Sequence, residues 1–300
     1  MFDPASWPDG DLTAAAREVA RLGLERAVYE LEVFGLTVVT ADRTGMADVC
    51  ARAFGRACDL IEQRTGTRPD VVGGATHVGV VTPSLHHFLH EDESFQDLVS
   101  HDMALALATM LVGARSVIAG TELFMKGPAN GEAGLLVTKN GSGLQLGLHS
   151  DNVTIPEPFP MLAHACNVTW LLSDYTKDAG ALAFVPGSHR LCRQPQGREG
   201  VERAVAIEAP AGSLVVWHGN TWHGSYPRTT PGLRTGMATA FHREYMHPHE
   251  PVGRDMPADV VRRRGARFAT LMGHDVLDWE TEGPDYAKLL ARPFRFTPYT

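Results

Sequence analysis

The sequence predicts a mainly β protein, in which an antiparallel core of the sandwich or barrel type is flanked by α-helices at both ends. From Ser116 onward, short apolar or alternating runs are separated by Gly, Pro, Asn and Asp, as is typical of such a core. The preceding segments have helical apolar spacing, and the last segments return to helical and irregular patterns. We therefore expect one domain over residues 1–300, with a helical part (about 1–115), a β core (about 116–245) and a C-terminal helical extension (about 246–300).

The N-terminal part contains three predicted helices. Residues 11–34 are rich in Ala, Leu, Arg and Glu, and Gly35 ends this helix before the short strand LTVVT. A second helix is predicted over 46–65. A third is predicted over 91–111, where acidic residues in the first turn favour the helix dipole.

The β core is predicted from eight runs. In chain order they are SVIAGTELFM, LLVTKN, GLQLGLHS, HACNVTWLLS, ALAFVPGS, AVAIEAP, SLVVWH and LRTGMATAF. Their length and their spacing by turn residues indicate antiparallel strands joined by short loops.

Composition excludes several classes of function. The net charge of −8 argues against a phosphate-backbone partner, and no apolar run approaches the ~20 residues of a membrane span. Four cysteines occur without a CxxC pair, which suits a reducing compartment. We expect a cytoplasmic protein without nucleic-acid or membrane partners, and the sequence does not indicate its oligomeric state.

A His-x-Asp pair occurs twice, at His90/Asp92 and at His149/Asp151. On a strand, such residues share a face about 6.5 Å apart and can bind one ion, whereas on a helix they diverge. The first pair falls at a predicted helix start, in the acidic run HEDES, and is interpreted as a solvated helix end. The second ends the strand-like run GLQLGLHS, so it is the candidate ligand pair.

Further ligands are available in the segment SLVVWHGNTWHGSYPRTTPGLRTGMATAF, which contains His218, His223, Arg228 and Arg234. Two His and one carboxylate form the facial triad of non-haem Fe(II) oxygenases, which leaves coordination positions open. A nearby Arg binds a carboxylate bidentately. Arg234 begins a strand-like run, whereas Arg228 lies in a sequence typical of a turn. Of the two possible His/Arg pairs, this favours the later one, His223 and Arg234.

Four motifs in order resemble the phytanoyl-CoA dioxygenase family over residues ~25 to ~245. They are HSD, VPGSHR, WHGS and an Arg eleven residues after the His. The resemblance implies a double-stranded β-helix (jelly roll, cupin-like) that uses Fe(II), O2 and the cosubstrate 2-oxoglutarate and releases succinate and CO2. Because the family's halogenating members lack the carboxylate ligand, Asp151 implies a hydroxylase or related oxidase (EC 1.14.11.-).

Carried over by this resemblance, the metal ligands and catalytic residues are His149, Asp151 and His223. Arg234 would bind the distal carboxylate of 2-oxoglutarate, with Ser225 and Thr169 as further cosubstrate-binding positions. His218 is then not expected to bind the metal but to lie behind the ligand residues. Outside these motifs, Lys126 is expected to be solvent-exposed.

The expected substrate is a small, moderately hydrophobic free metabolite. The segments expected to cover the pocket mouth are 77–90, 152–162 and the chain after Tyr245, and they are mainly apolar. Their basic run RRR at 262–264 lies in a predicted helix and is interpreted as a solvated face, so no Lys or Arg cluster is left for the phosphates of CoA. Three alternatives stay open: an acyl-CoA hydroxylase of the same family, a cupin-type metalloenzyme without 2-oxoglutarate, and a non-catalytic binding protein.

Overall fold

A computed structural model describes residues 11–74, 84–128 and 146–274. The predicted run LLVTKN, the beginning of GLQLGLHS and residues 77–83 lie outside the described residues. The helices are α1 (Asp11–Arg21), α2 (Glu25–Phe34), α3 (Ala41–Thr44), α4 (Ala47–Thr65), α5 (Glu93–Val99), α6 (Asp102–Val112), α7 (Ala258–Arg264) and α8 (Ala266–Leu271). The strands are β1 (Leu36–Val39), β2 (Ser84–Leu85), β3 (Val117–Lys126), β4 (Ala165–Leu171), β5 (Leu182–Phe184), β6 (Val205–Ala206), β7 (Leu214–His218), β8 (His223–Ser225) and β9 (Arg234–His242).

The described strands form two antiparallel sheets. The larger has six strands in the order β1-β7-β4-β9-β3-β2, and the smaller has three in the order β6-β5-β8. One apolar cluster joins the outer face of the large sheet to the helices and includes Trp170 and Phe241. A second lies between the sheets and includes Phe184 and Trp217. The architecture is the predicted double-stranded β-helix with flanking helices.

Two predicted helices are broken in the structure. The segment 11–34 divides at Gly23, whose φ of 62° is left-handed and ends α1. The segment 91–111 divides into α5 and α6, because Ser100 ends one helix and the extended His101 begins the next. The helix predicted over 46–65 is confirmed as α4. Local apolar spacing predicted the helical state correctly but not these short breaks.

The N-terminal part is more than a layer of helices, because β1 pairs with β7 at the edge of the large sheet. The end of α2 also bonds two distant turns, a contact that we call the Gly35 junction. The Gly35 carbonyl accepts the His218 N–H at 2.9 Å and the Thr221 hydroxyl at 2.8 Å. The Gly187 N–H donates to the Phe34 carbonyl at 2.8 Å. The N-terminal segment thereby fixes the turns before β8.

No helix within the described ranges is both long and apolar enough to cross a bilayer. The four cysteines are free thiols, and Cys50 and Cys58 are buried in α4, as their helical spacing predicts.

Candidate metal centre

Two histidines from separate segments face each other at one end of the barrel. His149 and His223 form a β-bridge in which each backbone N–H donates to the other residue's carbonyl at 2.9 Å. Their ring centroids are 4.4 Å apart. His223 is buried, with Phe184 stacked on its ring, whereas His149 is half exposed. The bridge therefore sets the spacing of the two imidazoles.

Asp151 supplies a carboxylate oxygen to the same point. Its Oδ1 lies 3.7 Å from Nε2 of His149 and 3.4 Å from Nε2 of His223. Its Oδ2 accepts hydrogen bonds from Asn167 at 2.5 Å and from the Trp217 indole at 3.0 Å. Two ligand bonds of about 2.1 Å at a right angle end about 3 Å apart. One oxygen is thus fixed by neighbours while the other is available to a cation.

Both rings have the tautomer that a metal site requires. Nδ1 of His149 lies 2.8 Å from the Gly147 carbonyl, and Nδ1 of His223 lies 3.0 Å from the Thr221 carbonyl. A proton on each Nδ1 leaves a lone pair on Nε2, the atom that faces Asp151. Burial lowers the pKa of His223, which favours the neutral ring. The three ligand atoms all lie within 4.8 Å of one another, and the donor set fits an octahedral ion with one face open.

His218 has no nitrogen left for a metal. Its Nδ1 accepts the Asn220 N–H at 3.0 Å, and its Nε2 lies 3.2 Å from the Met161 carbonyl. Burial lowers its pKa to about 4. His218 therefore holds the loop before β4, and the choice of His223 as the ligand agrees with the geometry.

Arg234 is a buried cation with unused donors. It is 4% exposed, its guanidinium lies 4.8 Å from the Phe124 ring centroid, and Nη1 donates to the Tyr175 hydroxyl at 3.1 Å. Its Nε has no hydrogen-bond partner, and the described part of the chain provides it no ion-paired carboxylate. A buried charge without a counter-ion is costly, so the site suits an anionic ligand.

Lys126 was expected on the surface, and this prediction is wrong. It pairs with Arg234 across β3 and β9 and therefore shares its face of the sheet, where it is half-buried. Its ammonium donates to the Ser225 hydroxyl and to the Tyr226 carbonyl, each at 2.7 Å. Burial and the neighbouring Arg234 lower its pKa to about 8. The alternation of the run ELFMK was the available signal, because it places Lys126 on the same face as Phe124.

Thr169 and Arg228, two further residues considered for cosubstrate binding, differ in their surroundings. Thr169 lies on β4 two residues after Asn167, is fully buried, and its hydroxyl has no hydrogen-bond partner within the part of the chain that the structure describes. It thus shares the face that carries Asn167. Arg228 donates instead to the backbone carbonyls of Thr230 at 2.9 Å, of Ala179 at 3.0 Å and of Pro231, so it braces a loop.

From Leu146 onward, where the structure describes this run, the strand alternation predicted around His149 is not observed. Gly147 has a left-handed φ of 61°, and His149 forms an isolated bridge rather than part of a continuous strand. The two ligands still converge because the Asp151 N–H bonds to the Gly219 carbonyl at 3.2 Å. The competing Asp92 caps α5 by accepting the Ser94 N–H at 2.9 Å, which agrees with its interpretation as a helix start.

Two curated sequence relatives match part of the chain. The chain is 27% identical over 160 residues to dioxygenase af480 of Aspergillus fumigatus, a match that covers 53% of this chain and 46% of the relative. It is 29% identical over 107 residues to an uncharacterized protein of Mycobacterium tuberculosis, covering 36% and 39% of the two chains. The matches thus span less than half the length of these curated relatives.

Solved structures and a family model agree on the fold. EctD of S. alaskensis, in its apo form, superposes with a TM-score of 0.55 at 20% identity and covers 81% of this chain and 85% of its own. The epimerase SnoN in complex with Fe3+, alpha ketoglutarate and nogalamycin RO gives a TM-score of 0.55 at 19% identity, covering 80% and 91%. The model of the phytanoyl-CoA dioxygenase (PhyH) family matches residues 37–236. The chain therefore belongs to the phytanoyl-CoA dioxygenase family.

Proposed function

We propose that the protein is a non-haem Fe(II)- and 2-oxoglutarate-dependent dioxygenase that hydroxylates or desaturates a small, moderately hydrophobic metabolite. The observation that carries the proposal is the combination of an open His-Asp-His set with a buried guanidinium that no carboxylate among the described residues neutralises. Lys126 connects the two, because it lies opposite Arg234 and donates to Ser225 in the ligand-bearing strand β8. SnoN, which shares the fold, was solved with both Fe3+ and alpha ketoglutarate bound.

In this proposal His149, Asp151 and His223 hold the iron, and Asn167 and Trp217 fix the carboxylate that faces it. Bound there, iron and 2-oxoglutarate would supply, with O2 as the oxidant, the oxidation of a substrate C–H bond, with release of succinate and CO2.

Arg234 binds the distal carboxylate of 2-oxoglutarate, and Lys126 adds a second positive charge on the same face of the sheet. Ser225 positions the Lys126 ammonium, and the buried hydroxyl of Thr169 on β4 is a further donor on the same face of the sheet. The ring of Phe124 and the buried Tyr175 exclude water around the guanidinium, which strengthens the ion pair.

The exposed apolar side chains of the loop after Asp151 favour a hydrophobic substrate. Val153 and Met161 are 74% and 71% exposed, and Leu162 and Tyr245 are also exposed. Residues 152–162 include no Lys or Arg. An exposed apolar surface at the mouth of a pocket favours an apolar ligand over a CoA thioester, whose phosphates need cationic partners. The cytoplasmic location and the single-domain organisation over 1–300 stay predictions.

The test measures Fe(II) binding, 2-oxoglutarate binding and succinate release separately. We expect one Fe(II) per chain, 2-oxoglutarate binding that requires the metal, and slow succinate formation that a substrate accelerates. Asp151→Ala should lose all three, whereas His218→Ala should retain Fe(II).

Three outcomes would contradict the proposal in whole or in part. Iron binding without 2-oxoglutarate binding would favour a cupin-type metalloenzyme. The absence of succinate from a chain that binds both would favour a binding protein. Faster turnover with an acyl-CoA than with its free acid would contradict the proposed substrate class.

A further inference from the structure

The inner face of the large sheet leaves space beside Asp151. Ala240 of β9 pairs with Gly120 of β3 on one side and with Asn167 of β4 on the other, so these residues form one row across the sheet. Asn167 donates to Asp151, which places this row level with the proposed iron. Gly120 and Ala240 contribute almost no side chain, so another segment must form the wall there.

Two histidines outside the ligand set occupy that wall. A Cβ built on Gly120 would lie 2.5 Å from Nε2 of His249, so the His249 ring covers this glycine directly. His242 lies one step beyond Ala240 on the same face, with its ring centroid 5.6 Å from that of His249. Nδ1 of His242 is buried and has no hydrogen-bond partner among the described residues. The charge of Asp151 also acts on His242, as expected if the two are close.

The position of His249 is fixed by a β-bulge in β3. The register of β3 against β9 shifts between Ile118 and Gly120. The Ala119 carbonyl in this bulge accepts both the His249 N–H at 3.0 Å and the Glu250 N–H at 2.9 Å. Bulges next to active sites commonly redirect a side chain in this way.

The carboxylate of Glu250 locks the same segment to the sheet. It is 6% exposed and accepts the Thr121 N–H at 2.5 Å, the Thr121 hydroxyl at 3.1 Å and the His87 N–H at 2.8 Å. Through these bonds the buried Glu250 carboxylate holds in place the segment that carries His249. The segment is therefore a built part of the site and not a loose tail.

We propose that His242 and His249 form a hydrogen-bonding wall of the substrate pocket and bind an uncharged hydroxyl or carbonyl group of the substrate. This inference rests on the proposed function, because it assigns the substrate side of the same site. A neutral imidazole both donates and accepts one hydrogen bond, which matches a hydroxyl group. Burial and the neighbouring His249 lower the pKa of His242 to about 4, so this ring is neutral at physiological pH.

The test uses three probes with one apolar chain and different head groups: 1-octanol, octanoate and octylamine. Each is titrated anaerobically into the Fe(II)–2-oxoglutarate enzyme, and binding is followed by the change in the visible absorption band of that complex. We expect octanol to bind about tenfold more tightly than either charged probe, a difference of about 1.4 kcal/mol that lies within the range of one well-matched hydrogen bond.

The matched variants are His249→Phe and His242→Phe, which keep a ring but remove its hydrogen-bonding nitrogens. Each should weaken octanol binding about tenfold and leave the affinities for Fe(II) and 2-oxoglutarate unchanged. Gly120→Ala should act like His249→Phe, because its Cβ displaces the ring. His247→Phe, at an exposed neighbouring position, is the control and should behave as wild type.

Equal binding of the three probes, no binding of octanol, or unchanged octanol binding in both Phe variants would overturn the inference. Absence of the visible band when Fe(II) and 2-oxoglutarate are added to the wild-type protein would instead contradict the proposed function. The two failures are therefore distinguishable.

Discussion

At the scale of single residues, the ligand set and its supports are expected to differ in the size of their effects. His223→Ala should nearly abolish Fe(II) binding and turnover. Asn167→Ala, which removes a hydrogen bond to Asp151, should reduce metal affinity or activity about 10–100-fold. His218→Ala should retain Fe(II), because both ring nitrogens bond the backbone. Metal titration by absorption spectroscopy checks this order of metal affinities among the three variants. A His218→Ala variant that binds no Fe(II) would contradict it.

The two candidate arginines are separated by what their guanidinium groups contact. Arg234→Ala should keep iron and lose 2-oxoglutarate affinity by about 2–5 kcal/mol, and Arg234→Lys should restore only part, because an ammonium cannot form the bidentate pair. Arg228→Ala should lower the melting temperature and leave that affinity unchanged, because it bonds only loop carbonyls. Calorimetric titration of 2-oxoglutarate measures both, and the reverse pattern would overturn the assignment.

Lys126 should make cosubstrate binding depend on pH. Its pKa is about 8 in the folded protein and has an ordinary value of 10.5. Between these values the unfolded chain holds the extra proton, so the ligand-free protein gains stability as the pH rises through this range. A bound dianion favours the charged amine, so 2-oxoglutarate affinity should fall as the pH rises through about 8.

The control for this prediction is Lys126→Met, which keeps the length of the side chain without the charge. It should have weaker 2-oxoglutarate binding at neutral pH and a flatter pH profile above it. An identical pH profile in wild type and variant would show that another group is responsible.

At the scale of elements, the site depends on how closely residues 146–149 approach β8. A Cβ on Gly224 would lie 1.9 Å from the Leu146 carbonyl, and that carbonyl accepts the Ser225 N–H at 2.8 Å. Gly224→Ala should therefore separate His149 from His223 and weaken Fe(II) binding while the large sheet persists.

Gly55→Ala is the matched control. It lies on an exposed turn of α4 with no atom within 4 Å of its Cβ, so it should stabilise the protein by about 0.5–1 kcal/mol without affecting iron. Iron titration and thermal unfolding of both variants check the pair, and wild-type iron affinity in Gly224→Ala would contradict the role of this close approach.

The elements also show how far sequence reasoning extends. Alternation and turn residues were sufficient to predict β3, β4, β7 and β9, because each strand has one apolar face over several residues. The convergence of His149 and Asp151 was predicted for the wrong reason, since it results from Gly147 and from a bond to Gly219 rather than from strand alternation. The inward face of Lys126 was indicated by the alternation of ELFMK, whereas the position of His249 depends on a distant contact with the Ala119 bulge that no local pattern could predict.

At the scale of the whole molecule, the helical part and the β core should unfold together. β1 forms the edge of the large sheet, and the indole of the fully buried Trp170 in β4 donates to the Leu98 carbonyl at 2.9 Å. We expect far-ultraviolet circular dichroism and tryptophan fluorescence to give coincident thermal transitions. Trp170→Phe should lower the midpoint temperatures of both transitions together. The carbonyl left unpaired should reduce the free energy of unfolding by about 1–3 kcal/mol. Two separate transitions would contradict the prediction of a single domain.

The Gly35 junction bears on how relatives of this chain should be recognised in genomes. VPGSHR is one of the four motifs that carry the family resemblance, yet here its Gly187 bonds the end of α2 and it contributes no atom to the His-Asp-His set. A descendant that had lost Asp151 would keep every bond of the junction and would still be detected as kin. The junction thus records ancestry, whereas inheritance of the catalytic trait has to be read at positions 149, 151 and 223.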